Sequence, residues 1–168
     1  MAQAREQGKP EGQHASRPPL VLVVDDDAAI RALLAAFLED EGFAVATAAH
    51  GAEALKRAAV RRPSVIVTDV RMPVMDGPTF VRRYRAEHPV PHAPVIAIAA
   101  SRAGLDDATA AGVDAALPKP LDLEHLVAVV RGCAAAAAAA AGNAGAASRH
   151  WGDGGGPAEG ADGAPAAA

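Results

Sequence analysis

A single cysteine, Cys133, leaves no partner for an internal disulfide and no thiolate cluster for zinc. Lys and Arg number 16 against 20 Asp and Glu, a formal net charge of −4, so the basic stripe of a dedicated nucleic-acid binder is missing. No uninterrupted apolar run reaches the ~18 residues of a membrane span, because Arg131 divides the best candidate, residues 121–141. Residues 1–19 are polar, and the apolar run of residues 20–24 is too short for the core of a secretory signal. These absences point to a cytoplasmic protein without membrane or nucleic-acid partners. Large apolar side chains are also scarcer than the 51% hydrophobic content suggests, since 45 of the 168 residues are Ala. The roughly forty that remain suffice for one core and are too few for two.

What is present divides into a domain and two tails. Residues 1–19 hold Gln, Gly, Pro, Ser and charges and cannot offset their ordering entropy, so they are expected to be disordered. Residues 142–168 are mostly Ala, Gly and Pro, with one aromatic, Trp151, and carry the same expectation. The unbroken alanines of residues 134–141 favour helix and should prolong the last helix until Gly142 stops it. The expected organisation is a tail over 1–19, one domain over 20–132, and an extension over 133–168, helical at first and then disordered.

Within the domain the periodicity alternates. Short apolar runs at residues 20–24, 43–47, 64–68, 94–98 and 113–117 read as strands, the first and third buried on both faces. Helical spacing follows each: Ile30, Leu33, Leu34, Phe37 and Leu38; Ala54, Leu55, Ala58 and Ala59; Phe80, Val81 and Tyr84; Leu105 and Ala108; Leu123, Leu126, Val127 and Val130. Asp27, Ser101 and Asp122 stand where N-caps belong, Asp76-Gly77 opens the third helix, and Gly42 stands at a C-terminus. Five such repeats predict an α/β fold, a parallel doubly wound sheet with helices on both faces. Right-handed crossovers then put every strand C-terminus on one edge, where such folds place their sites.

Chemistry collects at that edge. Asp25, Asp26 and Asp27 follow the first strand, Asp69 follows the third, and Lys119-Pro120 follows the fifth. Asp27 reads as a cap, but Asp25, Asp26 and Asp69 would repel one another without a counter-charge. A hard divalent cation relieves that cost, and an oxygen-only set suits Mg²⁺. With Lys119 adding one positive charge apt for a phosphoryl group, Asp69 reads as a nucleophile toward phosphorus. His88 and His92 have a helical metal-ligand spacing, but Pro89 and Pro91 forbid the helix that would align them.

The stretches VLVVDDDAAIRALLAAFLEDEGF, HGAEALKRA, SVIVTDVRMPVMDG and AALPKPLDLEHL, from Leu20 to about Arg131, resemble the receiver domain of bacterial two-component response regulators, chemotaxis-regulator-like and of the single-domain type. The resemblance implies a flavodoxin-like (βα)5 fold with strand order 2-1-3-4-5. It implies Asp69 as phosphoacceptor, Asp26 as direct Mg²⁺ ligand, Asp25 acting through metal-bound water, and Asp69 and the backbone carbonyl of Arg71 completing the metal set. Lys119 would pair with the phosphoryl oxygens, and the Lys119–Pro120 bond would be cis. It implies a phosphoacceptor that catalyses its own phosphorylation and dephosphorylation rather than an enzyme acting on other substrates. Its partners would be a histidine kinase or phosphotransfer protein and a downstream protein target. The tail is too short and too poor in apolar residues for a DNA-binding effector, so a stand-alone receiver signalling by protein contact is expected.

Two positions depart from the family. Its hydroxyl at the end of the fourth strand falls on Ala99, and its fifth-strand aromatic falls on Ala116. Ser101 would replace the hydroxyl only if the fourth strand carried a bulge. The alternative reading is a receiver-like binding domain that no longer switches. A third, an Asp-nucleophile phosphatase, is opposed by Ala28-Ala29-Ile30 after the acidic run, where a D-x-D-Thr nucleophile motif would continue.

Overall fold

The computed structural model describes residues 17–88 and 90–147. The expectations for residues 1–16 and 148–168, including Trp151, lie outside the described residues. Five strands alternate with five helices: β1 (Leu20–Val24), α1 (Ala28–Asp40), β2 (Ala44–Ala48), α2 (Gly51–Val60), β3 (Val65–Asp69), α3 (Gly77–Glu87), β4 (Val95–Ala99), α4 (Arg102–Ala110), β5 (Ala115–Pro118) and α5 (Leu123–Ala147). All strands are parallel, in the order β2-β1-β3-β4-β5. The expected topology is the observed one.

The sequence pattern explains the layering. Every residue of β1, β3 and β4 is buried, all of them apolar except Thr68 and Asp69 at the end of β3, and their side chains divide between the two faces. Leu22, Val24 and Ile66 meet Leu55 of α2 and Phe80, Val81 and Tyr84 of α3. Val21, Val23, Val67, Ile96 and Ile98 meet Leu34 and Leu38 of α1 and Leu126 and Val130 of α5. Helix α4 differs, because it buries only Gly104 and Ala108, against Val70, Ala97 and Ala99. Four helices begin on side-chain acceptors: Asp27 for α1, His50 for α2, Asp76 for α3 and Ser101 for α4. His125 N–H donates to Asp122 Oδ1 at 3.1 Å, so Asp122 caps α5. Gly42, at φ +89°, takes the left-handed turn that ends α1.

Three expectations need correction. β2, β3 and β4 each run one residue later than the apolar pattern suggests, which carries Asp69 and Ala99 into their strands. Gly142 does not stop α5: the helix runs on through Gly145 to Ala147. Each interior Gly costs about 1 kcal/mol relative to Ala, too little to interrupt a helix propagated by eight preceding alanines. The segment Leu123–Ala141 is also long and apolar enough to cross a bilayer by length and composition, Arg131 notwithstanding. Its first half is committed elsewhere, with Leu126 and Val130 fully buried against the sheet. The helix that would align His88 and His92 is absent, as expected, because α3 ends at Glu87. His92 Nε2 lies 3.1 Å from the His88 carbonyl, and both rings pack on Tyr84, at 4.6 and 6.0 Å between centroids.

Candidate functional site

The C-terminal edge of the sheet brings Asp25, Asp69 and Lys119 together. Asp69 ends β3 and is 6% exposed, and Asp25, directly after β1, is 2% exposed. Lys119 Nζ lies 2.6 Å from Asp69 Oδ1 and 3.9 Å from Asp25 Oδ2. Arg71 N–H donates to Asp69 Oδ2 at 2.8 Å, and Asp27 N–H donates to Asp25 Oδ1 at 2.8 Å. Asp25 Oδ2 is buried with no hydrogen-bond partner among the described residues. Asp26 is exposed at the rim, and Asp27 caps α1 through the N–H groups of Ala29 and Ile30. The Lys119–Pro120 bond is cis, as expected, and Lys119 N–H donates to the Ala99 carbonyl at 2.8 Å, which ties the lysine to β4.

Electrostatics reflects this crowding. Burial is the main cause that pushes the Asp25 carboxyl above its ordinary 3.8; the Asp27 N–H opposes it, and the charge of Asp69 adds to it. Stability contributed by Asp25 is therefore full below that value and lost as pH rises through the folded one. Burial pulls the Lys119 ammonium down, but its hydrogen bond to Asp69 and the charges of Asp69, Asp25 and Asp26 outweigh this and leave it above 10.5. The lysine is charged at neutral pH.

Among the described residues no three Asp, Glu, His or Cys side chains converge into a preformed metal cage. The donor set still fits a hard cation. A buried carboxylate oxygen without a partner is a costly feature, and it stands beside an exposed carboxylate and a lysine-bound one. Mg²⁺ takes few protein oxygens and keeps its waters, so it does not need a cage.

The two alanines are where the sequence places them. Ala99 ends β4 at 3% exposure, and Ala116 pairs with Ala97 across β4 and β5. The β3–β4 and β4–β5 registers run without a skipped residue, so the bulge that Ser101 would need is absent. Ser101 Oγ instead accepts from Gly104 N–H at 3.1 Å as the cap of α4. Sequence reasoning missed two contributors. Arg31 donates to the Asp25 carbonyl at 2.6 Å, and a cation at the positive end of α1 was the available signal. Gly77 lies against the backbone of Asp69, which no sequence pattern announces.

Residues 21–131 match the response regulator receiver domain family. The transcriptional regulatory protein PrrA of Mycobacterium bovis is 45% identical over 117 residues, covering 67% of this chain and 48% of that protein. The DNA-binding transcriptional regulator NtrC of Escherichia coli is 40% identical over 114 residues, covering 66% of this chain and 24% of that protein. The chain thus spans half the length or less of these relatives. Among solved structures, the Vibrio cholerae chemotaxis protein CheY4 superposes with a TM-score of 0.64 at 35% identity, covering 69% of this chain and 98% of that one. The receiver domain of sensor histidine kinase PA1611 from Pseudomonas aeruginosa, with a magnesium ion coordinated in its active-site cleft, gives 0.66 at 27% identity, covering 70% and 98%. With the family match across the whole sheet, and with acidic pair, strand-end aspartate and lysine on one edge, the chain belongs to the response-regulator receiver domains.

Proposed function

We propose that Asp69 accepts a phosphoryl group from a phosphohistidine of a histidine kinase or phosphotransfer protein, or from a small phosphodonor. The single observation that carries this is the Lys119 ammonium held 2.6 Å from Asp69 Oδ1 at the strand edge. An Asp69 carboxylate oxygen attacks phosphorus, the P–N bond to the donor imidazole breaks, and the electron pair leaves with the imidazole, which takes up a proton. Lys119 then balances charge that exists on the phosphoryl oxygens. Bound Mg²⁺ would neutralise the remaining oxygen charge, held by Asp26 directly, by Asp25 through water, and by Asp69 and the Arg71 carbonyl. Hydrolysis of the same acyl phosphate by water resets the domain, and its output is a contact with another protein. The test is whether a phosphohistidine donor or acetyl phosphate labels this chain at Asp69 alone.

The metal assignment has its own expected result. At Mg²⁺ tenfold above its dissociation constant, mass action adds about 1.4 kcal/mol to the unfolding free energy. Asp26→Asn should raise metal-free stability slightly, since it removes a charge that acts on Asp25, and should erase most of the Mg²⁺ increment. Thermal melts with and without Mg²⁺ measure both, and an undiminished increment in Asp26→Asn removes it from the ligand set.

Ala99 and Ala116 favour a second reading, a receiver that is labelled but hardly switches. A ligand moves a two-state element only by binding its states differently, and here there is no hydroxyl to draw inward and no ring to follow. Phosphorylation should therefore change amide exchange over residues 101–117 only weakly. Restoring the pair as Ala99→Thr with Ala116→Tyr should enlarge that change more than either substitution alone, a coupling of about 0.5 kcal/mol or more. Ala99→Thr alone should cost about 1–3 kcal/mol, because α4 lies close over it: a Cβ at Gly104 would stand 3.1 Å from Ala99 Cβ. A large exchange response in the wild type would mean that another route carries the signal.

A further inference from the structure

Arg31 stands where a cation is out of place. It lies one turn into α1, near the positive end of the helix dipole, and no acidic residue occupies the first turn to offset it. Among the described residues it forms no ion pair; its Nη1 instead donates to the Asp25 carbonyl at 2.6 Å. That carbonyl belongs to the peptide joining Asp25 to Asp26, beyond the last paired residue of β1. Helical side chains lean toward the N-terminus, so a long side chain at this position can reach back over the turn to the strand end. The turn is also tied on either side of Asp26: Asp25 donates its N–H to the Ala48 carbonyl at 3.2 Å and accepts Asp27 N–H at Oδ1, and Asp27 accepts the N–H groups of Ala29 and Ile30 on its side chain and that of Arg31 on its carbonyl. Asp26 is exposed, and its carboxylate accepts no hydrogen bond among the described residues, so its direction is inherited from that peptide plane.

We propose that Arg31 is a positioning residue for metal binding: by fixing the Asp25–Asp26 peptide it aims the Asp26 carboxylate at the cation beside Asp69. The proposal rests on Asp26 as a Mg²⁺ ligand, and charge and position make opposite predictions. If Arg31 acted only as a nearby positive charge, removing it would tighten the binding of a divalent cation. If it positions Asp26, removing it weakens binding, as loss of an outer hydrogen bond to a metal ligand commonly does.

The experiment is calorimetric titration of wild type, Arg31→Met, Arg31→Lys and Asp26→Asn with MgCl₂, alongside urea unfolding in metal-free buffer. Arg31→Met is expected to raise the Mg²⁺ dissociation constant about tenfold, and Arg31→Lys to fall between it and wild type. Should Arg31→Met fail to fold, Arg31→Lys keeps the stem and the charge but not the fork, and a weaker dissociation constant there still supports the role. Arg31→Met binding Mg²⁺ as tightly as wild type or more tightly, with Asp26→Asn impaired, overturns the proposal and leaves the ligand assignment standing. Unimpaired Asp26→Asn overturns both.

Discussion

Incubated with acetyl phosphate and Mg²⁺, the wild-type chain is expected to gain one phosphoryl group, and Asp69→Asn none. Three carboxylates share the edge, and the position of the cation selects among them. Asp26 is exposed, with no lysine or arginine within ion-pair distance among the described residues. Asp25 has one oxygen occupied by Asp27 N–H, and its other lies 3.9 Å from Lys119 Nζ. Asp69 alone presents an oxygen at 2.6 Å from that ammonium, where charge delivered to the phosphoryl group is met at once. An amide at this position is neither anionic nor nucleophilic toward phosphorus. The variant should stay folded, because the pair it loses involves a lysine about a third exposed, and the substitution also removes a charge that repels Asp25. Intact mass decides the matter, with the acyl phosphate recognised by its lability to base. Equal labelling of Asp69→Asn would place the nucleophile elsewhere, with Asp25 the first carboxylate to examine once Lys119 is released. Lys119→Ala should still be labelled, more slowly because the cation beside Asp69 is gone, and should respond poorly, since no ammonium is left to pass from Asp69 to the phosphoryl oxygens after transfer.

How much of this was legible in the chain depends on the reach of the interaction. The strands were readable because β1, β3 and β4 are buried on both faces and so are apolar, apart from Thr68 and Asp69 at the end of β3. The caps at Asp27, Asp76, Ser101 and Asp122 were readable because a short polar side chain before an apolar helical run has one common use. The converging Asp25, Asp26, Asp69 and Lys119 followed from topology alone, as a parallel sheet gathers its strand ends. What failed were quantities that depend on sums or on close approach. The end of α5 turns on whether the cooperativity of residues 134–141 outweighs two glycines, and the sequence position of Gly142 does not say. The bond from Arg31 to a main-chain carbonyl leaves no trace in residue pairing, because any residue at position 25 has that carbonyl. The small side chains on β4 and β5 were visible singly, at Ala99 and Ala116, while Gly104 over Ala99 appears only when the layers are stacked.

Gly77→Ala should be the most damaging substitution of a single methyl group in this domain, lowering stability by about 3 kcal/mol and slowing phosphorylation as well. The reason is approach rather than backbone freedom. A Cβ at Gly77 would stand 2.5 Å from the Asp69 carbonyl oxygen and 3.0 Å from Val70 Cα, and both are main-chain atoms that have no rotamer to change. Gly77 N–H also donates to the Val70 carbonyl at 3.0 Å, so the start of α3 is fastened to the end of β3 at this point. Relief of the clash must then come either by lifting α3, which carries the buried Phe80, Val81 and Tyr84, or by displacing the strand that carries Asp69. Overpacking of this kind commonly costs about 1–3 kcal/mol, and a contact with rigid backbone belongs at the upper end. Displacing β3 also moves Asp69 relative to Lys119, and small misplacements of a reacting group can cost about a hundredfold in rate. Gly132 supplies the control. It lies inside α5, where an added methyl would meet nothing within 4 Å, so Gly132→Ala should stabilise by about 0.5–1 kcal/mol through helix propensity alone. Urea denaturation of the two variants, with acetyl-phosphate labelling rates, separates the effects. If Gly77→Ala unfolds at the wild-type midpoint and is labelled at the wild-type rate, α3 can lift without strain, and its seat on the Asp69 peptide is not what holds the Asp69 side chain in place.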